Sequence, residues 1–172
     1  MIIWISSYPK SGNTYLRSFL SSYYYSKEGN FDFNLLLNIN QFPASRYSDV
    51  KSYTYFDAAK NWIHNQKKFF TKEKLFFLKT HNSLQEYLGY SFTKSSETLG
   101  AIYIVRDPRN VITSMCNHYS MSFNEIYNKM IDENASLSIK DSDGDLSNFS
   151  FLGSWPNHYK SWKNNFEFKT LF

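Results

Sequence analysis

The chain has 172 residues, a formal net charge of +4, and 20% aromatic residues with only 6 Gly and 4 Pro. This length and aromatic content are enough for one domain with a buried core, and the few Gly and Pro exclude a fibrous or loop-dominated chain. The mild basic excess fits a small anionic ligand and is too weak to indicate nucleic acid binding by itself.

The first element is an apolar strand that leads through a glycine-containing loop into a helix. Residues 2–5 are an apolar β-type run, residues 7–12 form a turn, and a helical pattern opens at Asn13. This layout directs backbone N–H groups and a helix N-terminus at an anion. Lys10 adds a positive charge, and the neutral hydrogen-bonding side chains belong to Ser11, Asn13 and Thr14. The pattern predicts a phosphate-binding loop; the alternative is a strand-to-helix turn without a ligand.

The loop differs from the ATP-binding P-loop and resembles that of another family. In the ATP loop the lysine follows the second glycine, whereas here Lys10 precedes Gly12 by two residues. The string Y-P-K-S-G-N-T-Y at residues 8–15 resembles the Y-P-K-S-G-T-T-W loop of cytosolic-type sulfotransferases, which use 3′-phosphoadenosine 5′-phosphosulfate (PAPS). The resemblance implies that the 5′-phosphosulfate is bound by Lys10, Ser11, Gly12, Asn13 and Thr14. It also implies that Tyr15, which like Asn13 departs from the commonest residue, stacks near the adenine.

The middle of the chain is predicted as short helices, a loop and two buried strands. An amphipathic piece covers residues 31–39, a loop 41–53, a helix 55–70, a strand 75–80, a helical turn 83–88 and a second strand 99–105.

The string L-K-T-H ends the first of these strands, at residues 78–81. Strand alternation puts Lys79 and His81 on one face, at the carboxyl edge where α/β sheets bind ligands. The string is similar to the F-K-T-H element of sulfotransferases, which implies that His81 is the general base and that Lys79 assists at the transferring group. An attacking hydroxyl must lose its proton, and imidazole titrates near the working pH. His64 and His118 are predicted as surface or packing residues.

A third motif joins the strand 99–105 to the next helix. It reads Y-I-V-R-D-P-R-N-V-I-T-S over residues 103–114, with Asp107 as the helix cap. Arg106 at the strand end and Ser114 on the second helical turn can converge on one phosphate. Their spacing is similar to the 3′-phosphate motif of sulfotransferases, which implies that they bind the 3′-phosphate of the nucleotide. The alternative is an ordinary capped joint, and Arg109 is either a surface residue or an anion contact.

The last third of the chain is predicted as a helix over 123–131, a mobile loop over 134–150, a helix over 151–166 and a strand over 168–172. The string G-S-W-P-N-H-Y-K-S-W at residues 153–162 is similar to the helix that follows the 3′-phosphate motif in sulfotransferases. Trp155 and Trp162 are predicted in the core, with His158 behind the site. The alternation of strands and helices predicts an α/β class, and the family implies a P-loop-like three-layer fold with a central parallel sheet flanked by helices. We expect a single sulfotransferase-like domain over residues 1–172.

Cysteine usage and the lack of targeting signals indicate the compartment. Cys116 is the single cysteine, which excludes an internal disulfide, and its place on an apolar helix face predicts packing in a reducing compartment. No basic leader followed by an apolar segment is present, and no apolar run reaches membrane-spanning length. We therefore expect a soluble, cytoplasmic protein without a membrane or nucleic acid partner.

The resemblance as a whole predicts a PAPS-dependent sulfotransferase that acts on a hydroxyl or amine of a small acceptor, releases PAP and needs no metal. Lys10 would stabilise the charge on the departing phosphate oxygen. Two other interpretations stay open: a non-catalytic PAP- or PAPS-binding fragment or subunit, and a small-molecule kinase. The C-terminal portion of the family is missing from residues 1–172, so we expect an exposed sheet edge with marginal stability or self-association. A sharply cooperative, monomeric melt would contradict that expectation.

Overall fold

The computed structural model of the chain describes residues 1–69, 74–139 and 141–172. The strands are β1 (Ile2–Ser7), β2 (Phe76–Thr80), β3 (Thr98–Ile104), β4 (Ser136–Leu137), β5 (Ser150–Phe151) and β6 (Lys169–Leu171). The α-helices are α1 (Asn13–Tyr25), α2 (Tyr55–Gln66), α3 (Pro108–Tyr119), α4 (Phe123–Ile131) and α5 (Trp155–Lys163). Short 3₁₀ turns lie at Phe33–Asn38, Ser45–Tyr47 and Lys67–Phe69.

The main sheet is parallel and has the strand order β2-β1-β3-β6. In the central strand Trp4 lies beside Leu78 of β2 and Ala101 of β3. Because the strands are parallel, the carboxyl ends of β1, β2 and β3 meet at one edge of the sheet. The predicted α/β fold, a central parallel sheet flanked by helices, is confirmed.

Tryptophan and phenylalanine rings fill the space between the sheet and the helices on one of its faces. Trp4, Trp62 of α2 and Trp162 of α5 are buried in one cluster, and the ring of Trp62 stacks on Phe149 at 5.7 Å. On the other face Tyr24 of α1 contacts Phe77 of β2, with ring centroids 5.2 Å apart. Aromatic rings therefore make up much of the core, while other aromatic side chains, Tyr24 among them, are exposed.

Local capping explains where the helices begin. Asp107 caps α3 by accepting a hydrogen bond from the Arg109 amide, and Pro108 follows at the first helical position. Thr54 and Ser122 begin α2 and α4 with capping boxes. Cys116 lies half-buried on α3 and packs, as predicted, against a second apolar cluster that includes Met115, Ile126 and Met130.

Three predicted elements differ from the structure. Residues 83–88 are not helical, because the chain turns between Tyr87 and Tyr90 through Leu88 at φ 52° and Gly89 at φ 82°. The helix predicted over 55–70 ends at Gln66 and continues as a 3₁₀ turn to Phe69, and its last predicted residue lies outside the described part of the chain. The helix predicted over 151–166 is shorter, because β5 occupies its first residue and α5 begins only at Trp155.

The segment 134–150 is predicted as a mobile loop, but several of its described residues, which are 134–139 and 141–150, pack onto the rest of the molecule. Leu146 and Phe149 are buried, and β4 pairs with β5 in an antiparallel ladder. The Asp145 carboxylate accepts hydrogen bonds from the amides of Ser52 and Ser147. Few apolar residues thus suffice to hold it, because its polar groups pair with backbone groups.

β6 lies at one edge of the sheet, and the side chains of Leu171 and Phe172 are exposed. Self-association through this edge stays a prediction. Among the helices in the described ranges, none combines the length and apolar character that a bilayer crossing requires.

Candidate functional site

A cavity of about 750 Å³ opens at the carboxyl ends of β1, β2 and β3, a size typical of small-molecule sites. Its lining residues are Pro9, Lys10, Gly12, Asn13, Thr14, Gln41, Lys79, His81, Arg106, Ser114, His118, Tyr119, Leu137, Ser138, Ile139, Asn148 and Ser150. All three sequence motifs therefore meet at one cavity. Of the ten residues predicted for the site, Ser11 and Tyr15 are not among the described residues that line it.

The loop between β1 and α1 is held in an unusual backbone conformation. Lys10 has a φ of 65° and Gly12 a φ of 104°, both in the left-handed region. Such a conformation costs a non-glycine residue about 1–3 kcal/mol, so it persists only where surrounding contacts hold it. One such contact comes from Arg106, whose Nη1 donates to the Lys10 carbonyl at 3.0 Å. Arg106, the candidate contact for a 3′-phosphate, thus directly holds the backbone of Lys10, the candidate contact for a 5′-phosphosulfate.

The predicted polar side chains of the loop have different surroundings. The Asn13 amide donates to the Ile5 carbonyl at 3.0 Å and to Ser7 Oγ at 3.2 Å, so its N–H groups fix the start of α1 to β1. Ser11 is buried, and its Oγ has no hydrogen-bond partner among the described residues. Tyr15 is 82% exposed. The loop can offer an anion the N–H groups of the first helical turn, besides the side chains of Lys10 and Thr14.

His81 is held through one ring nitrogen. Its Nδ1 lies 2.7 Å from the Ser7 carbonyl and 3.3 Å from Ser7 Oγ. Because a carbonyl oxygen only accepts, Nδ1 carries the proton and Nε2 keeps a free lone pair. The ring therefore has the tautomer that a general base requires.

The charge state of His81 is set by its surroundings. Burial, and secondly the nearby Lys79 ammonium, lower the pKa of His81 from 6.5 to about 3. The ring is therefore neutral at physiological pH. A bound polyanion would oppose the effect of Lys79 and raise this pKa.

Lys79 lies on the same wall as His81. Its Nζ donates to Gln41 Oε1 at 3.0 Å, and residues 40–42 pair with β2 beside it. Burial, and then the positive charges of Arg17 and Lys10, lower the pKa of Lys79 to about 8. Arg17 itself donates to the carbonyls of Ile39 and Leu36, which fixes this segment against α1.

The residues of the third motif separate into two groups. Arg106 and Ser114 reach the cavity from β3 and α3. Arg109 instead forms an ion pair with Asp107 at 2.6 Å, with its side chain 88% exposed. It is not among the described lining residues, so Arg109 lies at the surface, which is one of the two predicted alternatives.

Several lining residues lie outside the three sequence motifs. His118, predicted as a surface or packing residue, lies one helical turn after Ser114, and that spacing places both on the same face of α3. Gln41 is brought in by its pairing with β2, and Leu137, Ile139 and Asn148 by the β4–β5 segment. The loops 41–53 and 134–150 were expected to line an acceptor pocket, but no motif marks these individual residues.

The lining is cationic. It contains Lys10, Lys79 and Arg106, and it includes no carboxylate from the part of the chain that the structure describes. This distribution suits a ligand with several negative charges. Residues 1–69, 74–139 and 141–172 hold no group of three or more His, Cys, Asp or Glu side chains arranged for a metal ion.

Comparison with known proteins gives one family match. A family model described as sulfotransferase domain matches residues 2–171. Two crystal structures of retinol dehydratase are similar to the chain, one in complex with androsterone and inactive cofactor PAP, the other with retinol and PAP. Both have a TM-score of 0.47 and 14% identity, and the alignments cover 99% of this chain and 53% and 54% of those chains. The chain thus spans about half the length of these proteins, and no curated protein matches it significantly.

Proposed function

Because this chain belongs to the sulfotransferase family, we propose that it transfers a sulfuryl group from PAPS to a hydroxyl or amine of a small acceptor. The observation that supports this most is the cavity itself, in which the cations Lys10, Lys79 and Arg106 face the same space as the neutral ring of His81. A polyanionic donor would be bound by the cations, and an acceptor proton would be taken by the histidine.

The two ends of the donor would be bound by different elements. Lys10, Gly12 and Thr14 would hold the 5′-phosphosulfate together with N–H groups at the start of α1. Arg106 and Ser114 would hold the 3′-phosphate, with the guanidinium as a charged donor. The 3.0 Å hydrogen bond from Arg106 to the Lys10 carbonyl supports this division, because it connects the residue that would bind the 3′-phosphate to the loop that would bind the 5′-phosphosulfate.

The reaction balances with these residues alone. The acceptor oxygen forms a bond to sulfur while its proton moves to Nε2 of His81. The bond between sulfur and the bridging oxygen of the 5′-phosphate breaks, its electron pair stays on that oxygen, and PAP leaves. Lys10 stabilises the negative charge that develops there, and Lys79 assists at the sulfuryl oxygens. No step in this scheme requires a metal.

The acceptor would approach from the side of the β4–β5 segment. Leu137, Ile139 and Tyr119 give this wall apolar surface, and Asn148 and His118 add polar groups. Such a lining suits a small molecule with an apolar body and one reactive hydroxyl or amine.

Calorimetric titration tests the proposal directly. We expect PAP to bind without magnesium and more tightly than ATP, and PAPS to yield a sulfated product with a panel of phenols, alcohols and amines. Binding of PAP without transfer to any acceptor would favour the non-catalytic interpretation. Magnesium-dependent ATP turnover with no PAP binding would overturn the proposal in favour of the kinase interpretation.

The pH dependence of kcat/KM for the donor is expected to reflect Lys79. Since its pKa is lowered to about 8, the ammonium is charged below that pH and is lost above it, so kcat/KM falls as pH rises through about 8. In Lys79→Arg the guanidinium stays charged, and this alkaline decline should disappear. Because the pKa of His81 is near 3, no decline is expected around the ordinary histidine value of 6.5. An unchanged alkaline limb in Lys79→Arg would contradict the assignment.

A further inference from the structure

The segment that carries His81 is held from behind by one helix. From α5, Nε2 of His158 lies 3.0 Å from the His81 carbonyl, and Trp162 Nε1 donates to the Asn82 carbonyl at 3.0 Å. The hydroxyl of Ser161 accepts from the Leu84 amide at 3.0 Å. Successive residues after β2 are therefore fixed by side chains of α5.

His158 is the member of this set that contacts His81 itself. It is fully buried, and its Nδ1 lies 2.9 Å from the Tyr103 hydroxyl. Because Nε2 faces a carbonyl, it must carry the proton, and Nδ1 then accepts from Tyr103. The His81 carbonyl thereby selects the tautomer of His158, and the Tyr103 hydroxyl holds the other ring nitrogen in place.

The same ring also packs against the start of the phosphate-binding loop. The ring of Tyr8 meets His158 edge-on, at 5.4 Å between centroids and 87° between planes. Tyr8 follows Ser7, whose carbonyl accepts the proton of His81 Nδ1. His158 therefore contacts two parts of the chain that define the orientation of the His81 ring. One is the backbone carbonyl of His81, and the other is Tyr8, the neighbour of Ser7.

We propose that His158 is a positioning residue that keeps the His81 ring aligned with the Ser7 carbonyl and its Nε2 directed at the acceptor. The inference rests on the proposed role of His81 as the base. His158 is not among the described residues that line the cavity, so it acts through His81 rather than on a substrate. Small displacements matter here, since a misplacement of about 1 Å can lower a rate about 10²-fold.

A double-mutant cycle separates positioning from general destabilisation. His158→Phe keeps an aromatic ring but removes both hydrogen bonds, and it should lower kcat about tenfold with little change in KM for PAPS. His158→Gln, whose amide can still donate to the His81 carbonyl, should restore most of the rate. In a His81→Ala background His158→Phe should have no further effect, because the group it positions is gone. An equal loss in both backgrounds would overturn the proposal.

An NMR measurement tests the inference without any catalysis. Imidazole nitrogen shifts should report an Nδ1–H tautomer for His81 in the parent and a mixture in His158→Phe. If that variant fails to fold, Tyr103→Phe serves instead, since it removes only the hydroxyl that holds Nδ1 of His158 and so helps to fix its ring. Ile126→Val, a change at a buried residue of α4, is the matched control and should leave the His81 signals unchanged. Unchanged signals in both His158→Phe and Tyr103→Phe would refute positioning even in an active enzyme, whereas the expected change in a chain without sulfuryl transfer would refute only the proposed function.

Discussion

The His81→Ala variant is expected to transfer sulfuryl groups roughly 10²–10⁴-fold more slowly than the parent, while its affinity for PAP changes little. The reason is that His81 offers a neutral Nε2 to the cavity and is fixed through Nδ1 to the Ser7 carbonyl at 2.7 Å. Removing the ring removes the proposed proton acceptor but leaves Lys10 and Arg106, which we propose hold the nucleotide. Steady-state kinetics with a responsive acceptor and calorimetry with PAP measure the two quantities separately.

His64→Ala is the matched control for this variant. His64 lies on α2 with an exposed side chain, 3.6 Å from an Asp49 carboxylate oxygen, and is not among the described residues of the cavity lining. Its replacement removes an imidazole of the same kind and should leave kcat unchanged. Normal turnover by His81→Ala would show that another group takes the proton; among the described lining residues, the other imidazole is that of His118.

Local sequence signals predicted the parts of the fold that short stretches of chain determine. The apolar run before Ser7, the capping residue Asp107 and the apolar spacing in α3 and α4 each specify one element, and each element is present. The strand order β2-β1-β3-β6 could not be derived in this way, because it depends on how the connecting helices pack across the sheet. The packing of the 134–150 segment was missed for a similar reason: Asp145 pairs with backbone groups that include the distant Ser52 amide.

The candidate site was predicted in part. Parallel strands bring their carboxyl ends together, so residues that follow different strands, such as Lys10, His81 and Arg106, were expected to converge. Their electrostatics could not be predicted from residue type. The sequence suggested an imidazole that titrates near neutral pH, but burial and the neighbouring Lys79 lower the pKa of His81 well below that range. The resemblance placed His158 behind the site, but its contacts could not be derived, because they join residues far apart in the chain.

Arg106→Ala is expected to weaken PAP binding by about 1.5–3 kcal/mol, which corresponds to an increase in Kd of roughly 10- to 150-fold. The variant would lose the charge-assisted contact between the guanidinium and the 3′-phosphate. It would also lose the hydrogen bond to the Lys10 carbonyl, which helps to hold Lys10 in its left-handed conformation. Calorimetry with PAP measures the total effect.

A second ligand separates these two contributions. Adenosine 5′-phosphate lacks the 3′-phosphate, so Arg106→Ala should weaken its binding only through the disturbed loop and therefore much less than it weakens PAP. Arg109→Ala is the matched control, because Arg109 is an exposed arginine paired with Asp107 and should leave both affinities unchanged. If Arg106→Ala weakened the two nucleotides equally, Arg106 would act by bracing the phosphate-binding loop, and the 3′-phosphate would have to be bound elsewhere. If neither affinity changed, the cavity at the strand ends would not be the nucleotide site, since Arg106 joins two of its three motifs.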